Sequence, residues 1–170
     1  GIAAKLNKTI DIALASREMK DSEWKKAKGA GLNLQEITIA YDGITIVVNK
    51  SNPVKNLTTA QLREIFMGEI KNWSEVGGPD EKIMVLSRDS SSGTHVFFKE
   101  HILRKGNEKG PEEYSKTALF LPSNEALKQQ IENSKGAIAY IGMGYMGNSV
   151  KDLTVNGVEA NLVNVKSKKY

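Results

Sequence analysis

The chain has no cysteine and only two histidines, four prolines and two tryptophans among its 170 residues. Without cysteine there are no disulfides, thiolate metal sites or cysteine nucleophiles. The histidines, His95 and His101, stand six residues apart without clustered carboxylates, which is not a zinc-binding pattern. No apolar run approaches the roughly 20 residues of a membrane-spanning helix, and no basic leader opens the chain. These absences give no indication of a cofactor, a metal or a membrane span.

The charge balance favours small anionic partners. The 24 basic and 20 acidic residues give a net charge of +4, and the sequence pI is about 9.1. Because the two signs are interspersed along the chain, no basic stripe is available for a nucleic acid groove. We therefore expect small anions, and no nucleic acid, among the partners.

The most informative segment runs from Ile83 to Phe98, where an apolar strand leads through a polar turn into a helix. Ser92, Gly93 and Thr94 stand at the predicted start of the helix, where unpaired N–H groups favour an oxyanion. Arg88, at the carboxyl end of the strand, supplies a cation that suits phosphate geometry. This arrangement predicts an anion site.

Hydroxyl groups surround this candidate site. Ser90 and Ser91 precede Ser92, and a hydroxyl can accept a hydrogen bond from the proton that a protonated phosphate still carries. Ser and Thr are also common helix N-caps, so the turn by itself is equally compatible with simple capping. The preceding strand and the arginine four residues upstream of Ser92 favour the anion site.

Short strand and helix patterns alternate along the chain, which is typical of an α/β protein. The apolar patterns predict strands at residues 10–15, 34–41, 44–49, 83–88 and 137–141. Capping and periodicity predict helices at residues 21–28, 58–68, 93–103 and 123–133. Asn156-Gly157 indicates a hairpin turn near the end.

The sequence offers no convincing catalytic set, so we expect no enzyme activity. Ser92 and His95 lie three residues apart on one predicted helix, but no buried carboxylate is evident to orient the imidazole. The segment also lacks the Gly-x-Ser-x-Gly elbow of serine hydrolases. We expect His95 and His101 to lie on the helix surface.

Five blocks of sequence carry a family resemblance. They are TIDIALASREM (9–19), YDGITIVVN (41–49), LTTAQLREIF with IKNWSEVGG (57–66 and 70–78), SRDSSSGT (87–94) and GAIAY (136–140). In this order they resemble the phosphate-binding component of phosphate ABC transporters, a class II periplasmic-type solute-binding protein family. The resemblance runs over nearly the whole chain and is more specific than any single motif.

The resemblance implies a class II periplasmic-binding-protein-like α/β fold, with two lobes of mixed or parallel sheet flanked by helices. It divides the chain into part of a first lobe (1–45), a second lobe (46–145) and a segment returning toward the first lobe (146–170). A hinge is expected near Asp42-Gly43 and a returning strand near Val163. Family members are longer at both ends, so we expect this chain to be a fragment that binds phosphate weakly by itself.

The resemblance also assigns phosphate-binding residues. Arg88, Ser92, Gly93 and Thr94 match second-lobe phosphate contacts of the family. Ser16 stands where some members place an aspartate that accepts the phosphate proton.

For the remaining candidates the sequence leaves alternatives open. Arg17 is either a ligand residue or a solvated partner of Glu18. Asp42 and Asp89 are candidates for the proton acceptor, but Asp42 also suits a turn before glycine. A third possibility is that Ser16 donates to phosphate while a residue outside the chain accepts its proton.

The implied function is an extracytoplasmic receptor that binds inorganic phosphate between its lobes and delivers it to ABC permease subunits. Such a protein is exported to the periplasm or cell surface, and any membrane association is through an N-terminal anchor. A phosphate or oxyanion sensor or scaffold of the same fold is the main alternative. A phosphate-ester enzyme is the third, and it requires catalytic groups that the sequence does not offer.

Overall fold

The computed structural model describes residues 1–15, 17–40, 42–167 and 169, and it divides into units of residues 1–41 and 42–170. The first unit contains helices α1 (Ile2–Leu6) and α2 (Asp21–Gly29). The N-cap of α2 is Lys20, whose backbone N–H donates to the Glu23 carboxylate at 2.9 Å. A helix over residues 21–28 was therefore predicted correctly to within one residue.

The strands predicted at residues 10–15 and 34–41 are wrong within the described part of the chain. Both segments lack strand structure there, and Ile12 and Ile39 are each 82% exposed. An apolar pattern becomes a strand only when a neighbouring strand satisfies its backbone groups and covers its side chains. The described residues of the first unit provide no such neighbour.

The second unit is built on one six-stranded mixed sheet, in the order β2-β6-β1-β5-β3-β4. Strand β1 pairs antiparallel with β5 and β6, whereas β3 pairs parallel with β4 and β5, and β2 parallel with β6. The strands are β1 (Ile44–Val48), β2 (Asn56–Leu57), β3 (Met84–Arg88), β4 (Leu119–Leu121), β5 (Ala137–Gly142) and β6 (Lys151–Val155). The predicted mixed α/β class is confirmed.

Helices flank this sheet. They are α3 (Thr59–Met67), α4 (Gly93–Phe98), α5 (Asn124–Asn133) and α6 (Leu162–Lys166). The chain continues from α4 as a π-helical segment, Lys99–Leu103, and 3₁₀ turns cover Trp73–Val76 and Met143–Tyr145. Together, α4 and the π-helical segment cover the helix predicted for residues 93–103.

The sheet is buried on both faces. Because successive side chains of a strand point in opposite directions, each strand contributes to two clusters. On β1, Ile46 and Val48 belong to the cluster that contains Phe66 of α3 and Phe98 of α4. Val47, between them, belongs to a second cluster. That second cluster includes Leu127 and Ile131 of α5. Helices α3 and α4 thus cover one face, and α5 covers the other.

The ends of α3 follow directly from its sequence. The Thr58 hydroxyl accepts from the Gln61 N–H at 3.1 Å, and the Gln61 side chain accepts from the Thr58 N–H at 2.9 Å. Gly68 ends the helix in the left-handed conformation, with φ 79°, which favours glycine. This capping box and glycine stop confirm the predicted helix.

Two features near the end of the chain bear on the predicted return segment. The expected strand near Val163 is wrong, since that residue lies in α6, which Asn161 caps by accepting from the Asn164 N–H. Strand β6 pairs with β1 in the second unit. The lobe boundaries at 45/46 and 145/146 and the hinge stay predictions for the complete protein.

Within the described ranges, no helix is long and apolar enough to cross a membrane. No group of three or more histidine, aspartate or glutamate side chains is arranged there to hold a metal ion.

Candidate functional site

The candidate site is organised by the end of β3. Because side chains alternate along a strand, Ser87 faces the α4 side of the sheet and Arg88 faces the α5 side. Arg88 pairs with Leu121 of β4, which places the loop that starts α5 beside the Arg88 side chain. The sheet register therefore brings together two segments that are distant in sequence.

Two neutral groups hold the Arg88 guanidinium. Its Nη2 donates to the backbone carbonyl of Pro122 at 3.0 Å, and its Nη1 donates to Oδ1 of Asn124 at 3.3 Å. The Arg88 side chain is only 17% exposed. The guanidinium is thus fixed in orientation by groups that carry no charge.

The Arg88 cation is incompletely satisfied. Its Nε is buried and has no hydrogen-bond partner, and only one other described side-chain atom, Oγ1 of Thr45, shares that condition. The Asp89 carboxylate approaches Arg88 Nη2 only to 3.8 Å. Buried donors are rarely left without an acceptor, and buried cations rarely without an anion. The site has the chemistry to receive an anion.

Asp89 organises the turn between β3 and α4. Its Oδ1 accepts from the Ser91 backbone N–H at 3.0 Å and also from the Ser91 hydroxyl. The hydrogen bond from the Ser91 side chain lowers the pKa of Asp89, and nearby Arg88 contributes to the same shift. Ser90 and Ser91 are both exposed. The two serines differ in that Ser91 is hydrogen-bonded to Asp89.

Ser92 is the N-cap of α4, as the sequence suggested. It is 8% exposed, and its Oγ accepts from the His95 N–H at 3.4 Å. Its backbone carbonyl accepts from the Val96 N–H at 3.2 Å. Gly93 and Thr94, both half-buried, are the first two residues of the helix, so α4 itself offers no acceptor to their N–H groups. Capping and anion binding are compatible here, because they use different N–H groups.

The prediction that His95 lies on the helix surface is wrong. His95 is 6% exposed, and its Nδ1 lies 2.9 Å from the backbone carbonyl of Arg88. Burial lowers the pKa of His95, although the hydrogen bond to Arg88 opposes this shift. His101 is exposed, as predicted, and stacks on Phe97 with ring centroids 4.0 Å apart.

A buried chain of hydroxyls extends from His95 across the sheet. The Tyr114 hydroxyl donates to the backbone carbonyl of His95 at 3.2 Å and lies 3.0 Å from the Tyr140 hydroxyl. The Tyr140 hydroxyl lies 2.7 Å from Oγ of Ser87. Because a carbonyl only accepts, the Tyr114 proton is used on the His95 carbonyl, and the Ser87 hydroxyl can donate either to Tyr140 or to the Arg88 carbonyl at 3.2 Å. Burial raises the pKa of both tyrosines, so they remain neutral hydrogen-bond donors.

The candidates in and near the first unit have other contacts. Arg17 forms a bidentate pair with Glu23, with distances of 2.8 and 2.9 Å, and donates to the backbone carbonyl of Glu18. The hydrogen bond from Arg17 lowers the pKa of Glu23 to about 2. Asp42 accepts from the Gly43 N–H at 2.9 Å, as expected of a turn aspartate. Ser16 lies outside the described residues, and the ligand roles of these residues stay predictions.

Sequence reasoning missed the residues that support the site from a distance. Asn124 was visible only as the residue after the predicted cap Ser123, and its contact with Arg88 depends on the pairing of β3 with β4. Tyr140 was noted as part of a resembling block, but its bond to Ser87 depends on the pairing of β3 with β5. Neither contact has a local sequence signal.

Comparison with known families decides the membership of the chain. The PBP superfamily domain matches residues 1–170. The chain belongs to this superfamily. Among curated relatives, the phosphate-binding protein PstS of Borreliella burgdorferi is 33% identical over 175 residues, which cover 100% of this chain and 61% of the relative. PstS of Staphylococcus epidermidis is 37% identical over 138 residues, covering 79% of this chain and 40% of the relative.

Solved structures of the superfamily agree with this fold. A substrate-binding protein from Clostridium perfringens with bound phosphate matches with a TM-score of 0.86 and 38% identity, over 100% of this chain and 65% of that one. An ABC-type phosphate transport receptor from Vibrio cholerae matches with a TM-score of 0.77 and 33% identity, over 100% of this chain and 66% of that one. The chain thus spans less than two thirds of the length of each of these relatives and structures.

Proposed function

We propose that the complete protein is an extracytoplasmic receptor for inorganic phosphate that serves the permease subunits of an ABC transporter. Arg88, Ser92, Gly93 and Thr94 are proposed to form part of its phosphate site. The proposal is supported by relatives that are phosphate-binding proteins and by a similar structure that holds phosphate. Ser90, Ser91, Ser16, Arg17 and Asp42 are further candidates for contact.

One observation carries the assignment within the chain. Arg88 is a mostly buried cation whose nearest partners are neutral and whose Nε has no partner. A phosphate oxygen satisfies both the charge and the donor, and guanidinium geometry suits phosphate. The Gly93 and Thr94 N–H groups at the start of α4 supply further donors nearby. Retention of phosphate by this chemistry requires no nucleophile and no general base.

The proposed role is binding without turnover. His95 is the imidazole of this region and therefore a candidate general base. Its Nδ1 is hydrogen-bonded to a backbone carbonyl, and its pKa is lowered because it is buried. The Ser92 hydroxyl accepts from a helix N–H, as a cap does. Neither group is arranged as an activated nucleophile, in which a base takes the hydroxyl proton. A receptor uses both in a structural way.

Calorimetric titration of the full-length protein tests the proposal. We expect wild type to bind phosphate with one-to-one stoichiometry and the Arg88→Ala variant to lose about a hundredfold in affinity or more, as happens when a partner of a buried charged pair is removed. Arg63→Ala is the matched control. Arg63 is also partly buried, but its charge is paired with Glu112 at 3.2 Å, and we expect phosphate binding to be unchanged.

Sulfate and arsenate serve as comparison ligands in the same titrations. Selective binding that Arg88→Ala loses and Arg63→Ala retains supports the receptor. Failure of the folded full-length wild type to bind phosphate contradicts it. Hydrolysis of a chromogenic phosphate ester by the wild type contradicts the proposed absence of turnover.

A further inference from the structure

We propose that Asn124 is a positioning residue that orients the Arg88 guanidinium while leaving its positive charge available to the ligand. This inference rests on the proposed phosphate function. Asn124 is the first residue of α5, and its Oδ1 accepts from Arg88 Nη1 at 3.3 Å. The cap of α5 is supplied by Ser123, whose Oγ accepts from the Ala126 N–H at 3.1 Å. The Asn124 Oδ1 is therefore not needed as the cap.

The other three arginines of the chain are treated differently. Each lies close to a glutamate: Arg17 to Glu23 at 2.8 Å, Arg63 to Glu112 at 3.2 Å and Arg104 to Glu113 at 2.7 Å. Arg88 instead contacts an amide and a carbonyl, and its nearest carboxylate, that of Asp89, is 3.8 Å away. The Asp89 carboxylate is also engaged by Ser91 through its other oxygen. Among the four arginines, Arg88 is the one fixed mainly by uncharged acceptors.

Replacing the amide at position 124 by a carboxylate is expected to have opposite effects on anion binding and on the stability of α5. A carboxylate has nearly the same shape as the amide, so it can also accept from Arg88, but it neutralises the cation and repels an anion bound there. In the first turn of a helix, a carboxylate is favourable, because it interacts with the positive end of the helix. Asparagine thus gives up some helix stability and keeps the site positive.

The test compares Asn124→Asp with wild type in the full-length protein. We expect Asn124→Asp to lower phosphate affinity about tenfold or more, through like-charge repulsion. We expect its melting temperature to stay the same or rise. The affinity loss should be larger on the basic side of the second ionisation of phosphate than on the acidic side, because repulsion grows with the charge of the ligand. A residue that only supports the fold does not produce this combination.

Matched variants separate charge from contact. Gln129→Glu places the same added charge on an exposed position further along α5 and should bind phosphate as wild type does. Asn124→Ala removes the acceptor without adding charge, and we expect a smaller loss of affinity that is the same on both sides of the phosphate ionisation. The charged and titratable groups near Arg88 and on α5 are the same in all variants: Asp89, His95, Glu125 and Lys128.

The outcomes distinguish this inference from the proposed function. Wild type that binds no phosphate overturns both. Wild type that binds phosphate, together with an Asn124→Asp variant of equal affinity, overturns the role of Asn124 alone. The role of Asn124 is also overturned if Asn124→Asp loses affinity by the same factor on both sides of the second phosphate ionisation. It is overturned as well if the melting temperature of the variant falls in proportion to its loss of affinity.

Discussion

The backbone carbonyl of Arg88 accepts a hydrogen bond from Nδ1 of His95 at 2.9 Å, across the turn between β3 and α4. Because a carbonyl only accepts, Nδ1 carries the proton, and the tautomer of the neutral imidazole is fixed. The imidazole also packs against the Tyr114 ring, with centroids 4.7 Å apart. This bond joins the strand that carries Arg88 to the helix that Ser92 caps.

Replacing His95 by leucine should lower the free energy of unfolding by about 1–2 kcal/mol, because the variant removes a buried donor. The cost should not be larger, because Oγ of Ser87 lies 3.2 Å from the Arg88 carbonyl and can still donate to it in the variant. Urea denaturation measures the change. His101→Leu is the control, since His101 is exposed, and should change stability by no more than about 0.5 kcal/mol. Equal effects of the two variants would contradict the structural role of His95.

The lowered pKa of His95 predicts a pH dependence of stability. The unfolded chain takes up a proton near the ordinary value of 6.5, whereas the buried imidazole does so only at lower pH. The contribution of buried His95 to the free energy of unfolding is therefore fully present above pH 6.5 and is lost as the pH falls from 6.5 through the pKa of the folded state. Denaturation at several pH values should show the stability gap between wild type and His95→Leu narrowing over this window. A constant gap would mean that the imidazole pKa is not lowered.

Gly136 lies where no side chain fits. An ideal Cβ at this position overlaps the backbone carbonyl oxygen of Lys82, and the Gly136 carbonyl accepts from Nε1 of the buried Trp73 at 3.0 Å. We expect Gly136→Ala to destabilise the protein by about 1–3 kcal/mol, as overpacking does. Gly144→Ala is the control, because nothing lies within 4 Å of its ideal Cβ. Thermal unfolding of both variants checks the contrast, and equal melting temperatures would refute it.

The Arg17–Glu23 pair predicts an unusually acidic carboxyl group. We expect the side-chain carboxyl of Glu23 to titrate with a pKa of about 2, because Arg17 donates two hydrogen bonds to its charged form. Its contribution to stability is present above the ordinary pKa of 4.5 and is lost as the pH falls from there toward about 2. Carbon NMR of the carboxyl measures the pKa directly. Arg17→Gln should return it toward 4.5, and an unchanged value in that variant would show that Arg17 is not the cause.

Sequence patterns predicted the elements whose signals are local. The Thr58 capping box, the Gly68 stop and the Asn156-Gly157 turn are all set by residues within a few positions of one another. The turn after Arg88, with Ser92 as the helix cap, was likewise visible from the order of residue types. Such features depend on backbone conformations that particular side chains favour, so they can be predicted without knowledge of tertiary contacts.

The errors concern residues whose state depends on a partner distant in sequence. Ile12 and Ile39 have strand-like neighbours in sequence, but strand formation requires a second strand. His95 was predicted to lie on the surface because the sequence shows no buried carboxylate to orient its imidazole, whereas the structure buries the ring against Tyr114 and the end of β3. The Asn124–Arg88 contact depends on sheet register, which no local pattern specifies.

The strand order of the sheet has a kinetic consequence. Both neighbours of β1 come from the last third of the chain, since Ile44 pairs with Gly142 and Ile46 with Leu153. Contacts of such long sequence separation slow folding, because closing the long intervening loop costs chain entropy before the contacts can stabilise the fold. During synthesis, the apolar segment Ile44–Val48 emerges well before either partner strand. Its side chains and backbone groups stay unpaired until the ribosome has synthesised β5 and β6. We expect this segment to be the main target of a holding chaperone on the nascent protein.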